Sequence, residues 1–306
     1  MPPRTILVSG ASGLIGSSLL SELEKAGNRV LRLVRREPRG ANELRWNPSA
    51  HLFDERQLAT VDVVVNLAGE TVAQRWTTAS RRRIRDSRVA GTDAIVTAIG
   101  KTPKRPLTLI NASAIGFYGD RGDDPLDEKD QAGRGFLAEI CRQWESAAKV
   151  AARYGARVVT MRTGVVLSPK GGALAAMLTP FRLGVGGRLG NGKQWMSWIA
   201  LDDVVRGIVW LIEHTEIAGP VNMTAPNPVT NAELTRALGK AMHRPTVFPV
   251  PSLVLRAIFG EMAEETMLAS QRAVPRVLLA SGFEFESPTI DDALARTLAG
   301  ISSAVG

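Results

Sequence analysis

Short apolar runs alternate with longer stretches of helical periodicity through the first 167 residues. Each run has the length of a buried strand, and apolar positions recur every three or four residues between the runs. The strands are predicted at residues 6–9, 29–34, 61–67, 107–113 and 156–167, and the helices at 17–27, 78–100 and 134–154. Because parallel strands need crossover connections, which helices usually provide, this alternation predicts an α/β fold with a doubly wound parallel sheet.

The first strand and the first helix are joined by a turn with glycines at three-residue spacing. Gly10, Gly13 and Gly16 directly follow the apolar run. Such glycines let the backbone turn tightly and approach a pyrophosphate, while the helix N-terminus presents free N–H groups to it. Glycines also occur in ordinary turns, but the strand before and the helix after make a Rossmann-like dinucleotide site the better interpretation.

The second half is less regular and predicts a smaller lobe. Glycine clusters bracket a helix between residues 171 and 192, and Thr230 or Asn231 caps a later helix. From Pro245 to about Leu298 the chain is punctuated by proline and mostly helical. We therefore predict a dinucleotide-binding domain at residues 1–167, to which about 200–240 return. A mostly helical substrate lobe is predicted at 168–200 and 245–306, with its helical C-terminal domain at about 249–298.

Two arginines follow the second predicted strand, where a Rossmann unit meets the adenosine ribose. Arg35 lies close to the expected 20 positions beyond the glycine turn, and Arg36 follows it. An acidic residue here would favour NAD, whereas a guanidinium matches the 2′-phosphate of NADP. We therefore expect NADP(H) in preference to NAD(H), the alternative being two solvated arginines.

The composition excludes several classes of protein. The 306 residues are 44% hydrophobic, an ordinary globular content that allows a sizeable core. Cys141 is the single cysteine, so no intrachain disulfide can form and a reducing, cytoplasmic location is expected. The first strand begins at once, which leaves no room for a signal peptide, and no apolar run approaches the ~20 residues of a membrane span. We expect no membrane partner.

The net charge of +8 could indicate a polyanionic partner. The basic residues are dispersed, however, apart from Arg81-Arg82-Arg83 with Arg85 and Arg88, and few aromatic residues accompany them. We expect no nucleic-acid partner and assign the excess to a solvated helix face and to an anionic cofactor or substrate. The acidic loop at residues 120–130 is expected to be solvated, because no His, Cys or calcium-loop spacing supports a metal site.

The sequence resembles the extended short-chain dehydrogenase/reductase superfamily, whose fold the nucleotide-sugar epimerases share. The resemblance covers nearly the whole chain. It rests on Gly10-Ala11-Ser12-Gly13-Leu14-Ile15-Gly16, Asn66-Leu67-Ala68-Gly69, Arg88-Val89-Ala90-Gly91-Thr92, Asn111-Ala112-Ser113 with Tyr118-Gly119, Arg162-Thr163-Gly164 and Trp198-Ile199-Ala200-Leu201-Asp202-Asp203-Val204.

More narrowly, the chain resembles the atypical epimerase family proteins of unknown substrate, which end in a small helical domain of unknown function. The residues that carry this likeness are Ser87-Arg88-Val89, Gly171-Gly172-Ala173-Leu174, Gln194-Trp195-Met196-Ser197-Trp198-Ile199, Ala225 to Asn231, and the tail from about Pro249 to Phe283.

The resemblance implies which residues hold the cofactor. Gly10, Ser12, Gly13, Leu14 and Ile15 would hold the pyrophosphate, Arg35 the 2′-phosphate, and Leu67, Ala68 and Gly69 the ribose and nicotinamide side, with the segment from Arg162 through Gly164 to Val165 near the carboxamide. Gly16, Arg36 and Arg88 are also expected to bind the cofactor. A homodimer through the helices at about 78–100 and 134–154 is also implied.

The catalytic Tyr-x-x-x-Lys pair of typical members is missing. Aligning Glu145 with the glutamate that follows that motif puts Leu137 at the tyrosine position and Cys141 at the lysine position. The chain has two tyrosines, and neither Tyr118 nor Tyr154 has a lysine four residues later. Ser113 keeps the serine position of the superfamily, so the resemblance implies that it positions a substrate or donates a hydrogen bond.

Another group must then move protons if the protein is an enzyme. Tyr118 is the first candidate, although a buried aromatic of the tyrosine-glycine turn explains it equally well. Asp120 and Glu128 are weaker candidates. Cys141 is better interpreted as a small apolar residue of its helix. The histidines at 51, 214 and 243 lie in segments away from the carboxyl ends of the predicted strands.

Two functions therefore stay open. One is an NADP(H)-dependent oxidoreductase or epimerase-like enzyme that acts on an unidentified carbonyl or nucleotide-sugar-like small molecule. The other is a catalytically weak or inactive NADP(H)-binding sensor that contacts a partner protein, which the missing pair favours and the retained Ser113 and elaborate second lobe oppose.

Overall fold

A computed structural model describes residues 2–48, 55–102 and 108–302 of the chain. Its strands are β1 (Thr5–Ser9), β2 (Arg29–Val34), β3 (Glu43–Arg45), β4 (Val63–Asn66), β5 (Thr108–Ala114), β6 (Pro125–Leu126), β7 (Arg157–Thr163), β8 (Val165–Leu167), β9 (Trp195–Met196), β10 (Trp198–Ala200), β11 (Gly219–Met223), β12 (Val229–Thr230) and β13 (Arg272–Ala273).

The α-helices alternate with these strands and then dominate the C-terminal part. They are α1 (Leu14–Lys25), α2 (Thr78–Lys101), α3 (Phe136–Lys149), α4 (Gly172–Arg182), α5 (Leu201–Glu213), α6 (Asn231–Met242), α7 (Ser252–Phe259), α8 (Glu261–Ala263), α9 (Arg276–Ala280) and α10 (Ile290–Ser302). Among the described helices none is long and apolar enough to cross a bilayer.

A seven-stranded sheet organises the molecule, and its strands run in the order β11-β7-β5-β4-β1-β2-β3. All six neighbouring pairs are parallel. The chain winds outward from β1 in one direction through β2 and β3 and in the other through β4, β5, β7 and β11. This is the predicted doubly wound, Rossmann-like α/β fold, which is confirmed.

Helices cover both faces of the sheet, which is why the central strands read as continuous apolar runs. In β1, Ile6 and Val8 belong to the core that α1 and α5 cover. The residue between them, Leu7, belongs to the core on the α2 and α3 side. Side chains alternate along a strand, so one apolar run serves two cores.

A third apolar cluster lies between the short strands of the second half and the helices α4, α6 and α10. Helix α6 begins as predicted, because Thr230 and Glu233 form a capping box with each other's backbone N–H groups. The long predicted strand at 156–167 is divided, since the chain beyond Gly164 leaves β11 and pairs with β10 instead.

Candidate functional site: a cofactor cleft and the interior beside it

The winding direction of the sheet changes between β1 and β4, and a cleft of about 620 Å³ lies beyond their carboxyl ends. This is the place where open α/β sheets bind ligands. Eight residues that the sequence predicts for the cofactor line this cleft: Gly10, Ser12, Gly13, Arg35, Arg36, Leu67, Ala68 and Gly69.

The glycine turn is built by close contacts that no side chain could share. Gly10 has a φ of 66°, and a Cβ on it would lie 2.7 Å from the Leu67 carbonyl group. A Cβ on Gly16 would lie 2.3 Å from the Gly10 carbonyl oxygen. The turn therefore depends on glycine at both positions, as a pyrophosphate-binding backbone does.

Helix α1 starts from this turn with its N-terminus uncovered. Gly13 is the N-cap and offers no side-chain cap, and the first turn holds no acidic residue. The turn also borders a second cleft of about 890 Å³, where Ser12, Gly13 and Leu14 face Lys170 and Gly171. Glu22, Asp202 and Glu286 also line this second cleft. The unsatisfied N–H groups at the start of α1 suit a phosphate anion. The remaining predicted residue, Ile15, packs against the core behind the turn.

The two arginines after β2 differ in what they contact. The guanidinium of Arg36 pairs with both Glu43 oxygens, at 2.6 and 2.7 Å, and together with the Arg39 backbone N–H it lowers the pKa of Glu43 to about 2. Arg35 is exposed and makes no hydrogen bond or ion pair with any residue that the structure describes. Arg35 is thus the freer cation at this end of the cleft.

Arg32 is a cleft residue that sequence reasoning missed. It lies in β2, its Nη2 pairs with Glu24 at 2.8 Å, and its buried Nε has no hydrogen-bond partner among the described atoms. A buried donor without a partner is uncommon and marks a place where a ligand atom could bind. An arginine inside an apolar strand was the available signal. Trp46, which also lines the cleft, gave none, since only the tertiary fold brings it here.

The end of β4 is fixed from the neighbouring strand. The Ser9 hydroxyl accepts hydrogen bonds from the Leu67 and Ala68 N–H groups, at 3.1 and 3.2 Å, and itself donates to Asn66. Asn66 in turn donates to Asn111 at 2.7 Å. These buried contacts hold the carboxyl ends of β1, β4 and β5 in register beside the cleft.

Arg88 reaches this edge from α2 and lies against Gly69. A Cβ on Gly69 would lie 3.2 Å from the Arg88 guanidinium carbon, so the glycine makes room for it. Nη1 donates to the carbonyls of Glu70 and Ile84, and the guanidinium carbon lies 5.2 Å from the centre of the Trp144 ring. Burial lowers the pKa of Arg88, although a guanidinium stays charged near neutral pH.

Next to the cleft, a buried ionic group joins the predicted catalytic residues to the interior. Ser113 donates to Glu145 at 2.8 Å, and Glu145 binds Arg162 through both carboxylate oxygens, at 2.8 and 3.0 Å. Glu145 and Arg162 are 1% and 3% exposed. Such a pair is tolerated because each charge meets an opposite one and the remaining polar atoms have partners.

Tyr118, the first candidate proton donor in the sequence, belongs to the same buried group. The side chain is fully buried. Its hydroxyl donates a hydrogen bond to Asn222 at 2.7 Å and accepts one from Arg162 at 3.1 Å. Burial raises the pKa of Tyr118 to about 12. A catalytic acid must reach its substrate, so the buried-aromatic interpretation fits this residue better.

Packing likewise determines the side-chain position of Arg162 and the need for a glycine at residue 164. The Arg162 guanidinium lies 3.5 Å from the centre of the Phe117 ring and turns into the interior, so its side chain does not approach the cleft. A Cβ on Gly164 would lie 2.5 Å from the Ser197 carbonyl oxygen. Only the backbone of this segment is left to pass near a nicotinamide.

The weaker acid candidates also have structural contacts. Glu128 is buried and accepts the N–H groups of Asn222 and Val277, and burial raises its pKa. Asp120 accepts the N–H groups of Gly122 and Ser270. His214 stacks on Trp210 and His243 ends α6, while His51 lies outside the described residues. Among the described residues no cluster of three or more metal-ligating side chains occurs.

Leu137 and Cys141 lie one turn apart on α3, beside the Ser113 strand end. Leu137 packs on Gly116, where a Cβ would lie 3.3 Å from the leucine Cβ. Cys141 is buried, and burial raises its pKa to about 11 against the nearby charge of Arg88. An apolar side chain and a neutral thiol thus occupy this helix face, and Arg88 is the cation that lies near it.

Comparison with known families agrees with this fold. Residues 6–224 match the NAD dependent epimerase/dehydratase family, and residues 250–297 match a domain of unknown function, DUF1731. The epimerase family protein Mb2239 of Mycobacterium bovis is 49% identical over 295 residues, covering 96% of this chain and 97% of that protein.

Two solved structures share the architecture over nearly the whole chain. The human epimerase family protein SDR39U1, crystallised with NADPH, superposes with a TM-score of 0.87 at 30% identity, covering 96% of this chain and 99% of that one. A nucleoside-diphosphate sugar epimerase from Corynebacterium glutamicum superposes with a TM-score of 0.82 at 37% identity, covering 97% of this chain and 58% of that one.

Proposed function

Since the chain belongs to the NAD dependent epimerase/dehydratase family, we propose that it is an NADP(H)-dependent oxidoreductase or epimerase-like enzyme. The proposed substrate class is a small carbonyl compound or a nucleotide-sugar-like molecule. The observation that carries the proposal is the cleft at the β1–β4 switch point. Its glycine turn lies on one side, and Arg35, which pairs with no described residue, lies on the other. The similar human protein crystallised with NADPH supports the choice of cofactor.

Each part of the dinucleotide has a matching group in this chain. The pyrophosphate would lie on the N–H groups of Leu14 and Ile15 at the start of α1, because the Gly13 N–H already donates to the Gly10 carbonyl. The 2′-phosphate would pair with Arg35, because Arg36 is already bound to Glu43. The nicotinamide side would extend along Leu67, Ala68 and Gly69 toward Arg88. When bound, the cofactor supplies or accepts the hydride, and the protein orients it.

The proton chemistry must differ from that of typical relatives. In the proposed site, Arg88 supplies a fixed positive charge near the face of α3 that carries Leu137 and Cys141. A guanidinium can hold a ribose hydroxyl or polarise a carbonyl oxygen, but it cannot release a proton near neutral pH. Reduction of an activated double bond, in which water supplies the proton, therefore places fewer demands on this site than epimerisation does.

The cofactor assignment is tested by titrating NADPH and NADH into the protein and its Arg35→Ala variant. Losing a charge-assisted contact to the 2′-phosphate should weaken NADPH binding about 10- to 100-fold and leave NADH binding within about twofold. Arg39→Ala is the matched control, because Arg39 is an exposed neighbour that contacts Glu43 through its backbone. Equal losses for both dinucleotides in Arg35→Ala would contradict the assignment.

Hydride exchange separates the enzyme from the sensor hypothesis. The protein is mixed with deuterated NADPH and an oxidised dinucleotide analogue, and deuterium transfer is followed by mass spectrometry. Exchange, followed by turnover on a carbonyl or nucleotide-sugar library, supports the enzyme. Tight NADPH binding without exchange or turnover would favour a sensor, and no dinucleotide binding would defeat both.

A further inference from the structure

An unusually apolar surface lies in the second half of the chain. Eight large apolar side chains are exposed among the described residues, and seven of them fall in two segments, 182–193 and 240–258. These seven are Leu183, Val185, Val247, Phe248, Leu253, Val254 and Ile258. Three of the leucine and valine side chains, at 183, 247 and 253, are more than 70% exposed.

The two segments form one continuous surface. The Gly190 N–H donates to the Val250 carbonyl and the Val250 N–H to the Arg188 carbonyl, both at 2.8 Å. Arg244 Nε donates to the Arg182 carbonyl at 3.1 Å. We call residues 182–193 and 240–258 together the basic apolar surface.

Every charged residue of the basic apolar surface is a cation. The two segments hold Arg182, Arg188, Lys193, Lys240, Arg244 and Arg256, and neither contains an Asp or a Glu. Of these, Arg256 pairs with Glu264, and Lys240 lies 3.8 Å from Asp291. The other four form no ion pair with any carboxylate that the structure describes, so their charge is available to an anionic partner.

Helix α7 shows how the apolar part is presented. Leu255 is 4% exposed and anchors the helix to the protein, while Leu253, Val254 and Ile258 point outward. An amphipathic helix normally buries its apolar side chains and exposes its polar ones. A short helix with aliphatic side chains outward, on a surface that also carries cations, resembles a segment that lies in a membrane interface.

We propose that the basic apolar surface docks the protein reversibly on a bilayer that contains anionic phospholipid. The aliphatic side chains would enter the boundary between headgroups and acyl chains, and the cations would lie among the phosphates. This is peripheral binding, which agrees with the absence of a membrane-spanning helix among the described residues. The sequence alone predicted no membrane partner, because exposure of these side chains depends on the tertiary fold.

A second copy of the chain fits this surface less well. A two-fold contact places the same patch on both sides, so it would bring together two sets of the four cations that pair with no described carboxylate. Like charges brought together across an interface oppose association. An anionic bilayer satisfies both the cations and the apolar side chains.

The C-terminal segment that carries α7 continues to Glu265, whose carboxylate binds the N–H groups of Phe136 and Leu137 at the start of α3. The basic apolar surface is therefore joined through one short segment to α3, the helix beside the predicted nicotinamide.

The test is cosedimentation of the full chain with sonicated vesicles. Vesicles of phosphatidylcholine alone are compared with vesicles containing phosphatidylserine, at low and high NaCl. We expect binding to the anionic vesicles and loss of it at high salt, because exposed charges are screened. The double variant Leu253→Ser/Ile258→Ser should weaken partitioning at least about tenfold, since two exposed aliphatic groups are lost.

Matched controls lie elsewhere on the surface. Leu279→Ser removes the eighth exposed apolar side chain, and Arg153→Glu reverses an exposed charge on another face; both should bind vesicles as the natural protein does. Unchanged circular dichroism shows that each variant is folded.

Two results would overturn the proposal. One is binding that is absent, or equal for neutral and anionic vesicles. The other is light scattering that shows a dimer of the natural protein which Leu253→Ser/Ile258→Ser dissociates, because the surface would then be covered by a second copy.

Discussion

At the scale of single residues, burial rather than sequence position decides what each polar group does. Glu145 and Arg162 neutralise each other inside the molecule, and Ser113 and Tyr118 complete their hydrogen bonds. Burying any one of these polar groups alone would cost free energy, whereas together they supply one another with hydrogen-bond and charge partners. The same residues therefore stabilise the junction of β5, β7 and α3 and are withdrawn from the cleft.

Cys141 provides a test of this burial through the pH dependence of stability. Burial raises the pKa of the thiol from 9.0 to about 11, so the unfolded chain loses this proton at a lower pH than the folded one. The contribution is fully present below about pH 9 and is lost as the pH rises toward 11, in all about 2–3 kcal/mol.

This contribution is measured by urea unfolding of the natural protein and of Cys141→Ser, each at pH 8 and at pH 10.5. Other groups, Tyr118 among them, titrate in this range in both proteins. The loss of unfolding free energy between the two pH values is therefore compared between the proteins, and the difference reports the thiol. A Cys141→Ser variant that loses as much stability as the natural protein between these pH values would show that the thiol is not buried in this way.

At the scale of elements, the start of α3 depends on a distant part of the chain. Its N-cap is Gly135, with a φ of 108° and no side chain to cap the helix. Glu265 takes that role, accepting the Phe136 and Leu137 N–H groups at 2.8 Å each. A Cβ on Gly135 would lie 2.9 Å from the Glu265 carboxylate, so the glycine makes this approach possible.

Removing the carboxylate in Glu265→Ala should cost about 1–2 kcal/mol and speed amide exchange in the first turn of α3. Urea unfolding and hydrogen exchange by mass spectrometry measure the two effects. Thr230→Ala is the matched control, because it removes the cap of α6 at a similar cost but should leave exchange in α3 unchanged. Normal protection of Phe136 and Leu137 in Glu265→Ala would contradict the capping role.

At the scale of the whole molecule, the C-terminal segment is fastened to the domain that carries the sheet. Asp203, in the first turn of α5, is fully buried and accepts the N–H groups of Glu286 and Ser287 at 2.8 and 3.0 Å. Arg206 donates to the same carboxylate at 3.1 Å. One side chain thus holds the segment that leads into α10 against α5.

Asp203→Ala leaves these donors without their acceptor and should lower the free energy of unfolding by about 2–4 kcal/mol. Exchange should increase most in residues 284–302. Asp202→Ala is the control, since Asp202 is the exposed neighbour in the same helical turn and should change stability by less than about 0.5 kcal/mol. Equal effects of the two variants would show that the buried contacts do not fasten the segment.

The sequence by itself determined the features that depend on near neighbours in the chain. Apolar runs predicted the central strands, glycine spacing predicted the turn before α1, and a cap at Thr230 or Asn231 predicted the start of α6. Periodicity, backbone freedom and capping all act within a few residues. The family motifs then pointed to the fold, which the comparisons confirm.

Only the tertiary structure decided the features that depend on which side chains meet across the fold. It separated Arg35, which is free of described partners, from Arg36, which is bound to Glu43. It turned Arg162 and Tyr118 inward and brought Glu265 to a helix 128 residues away. It also left Leu253 and its neighbours exposed. Burial and pairing are long-range properties, and no local pattern of residues encodes them.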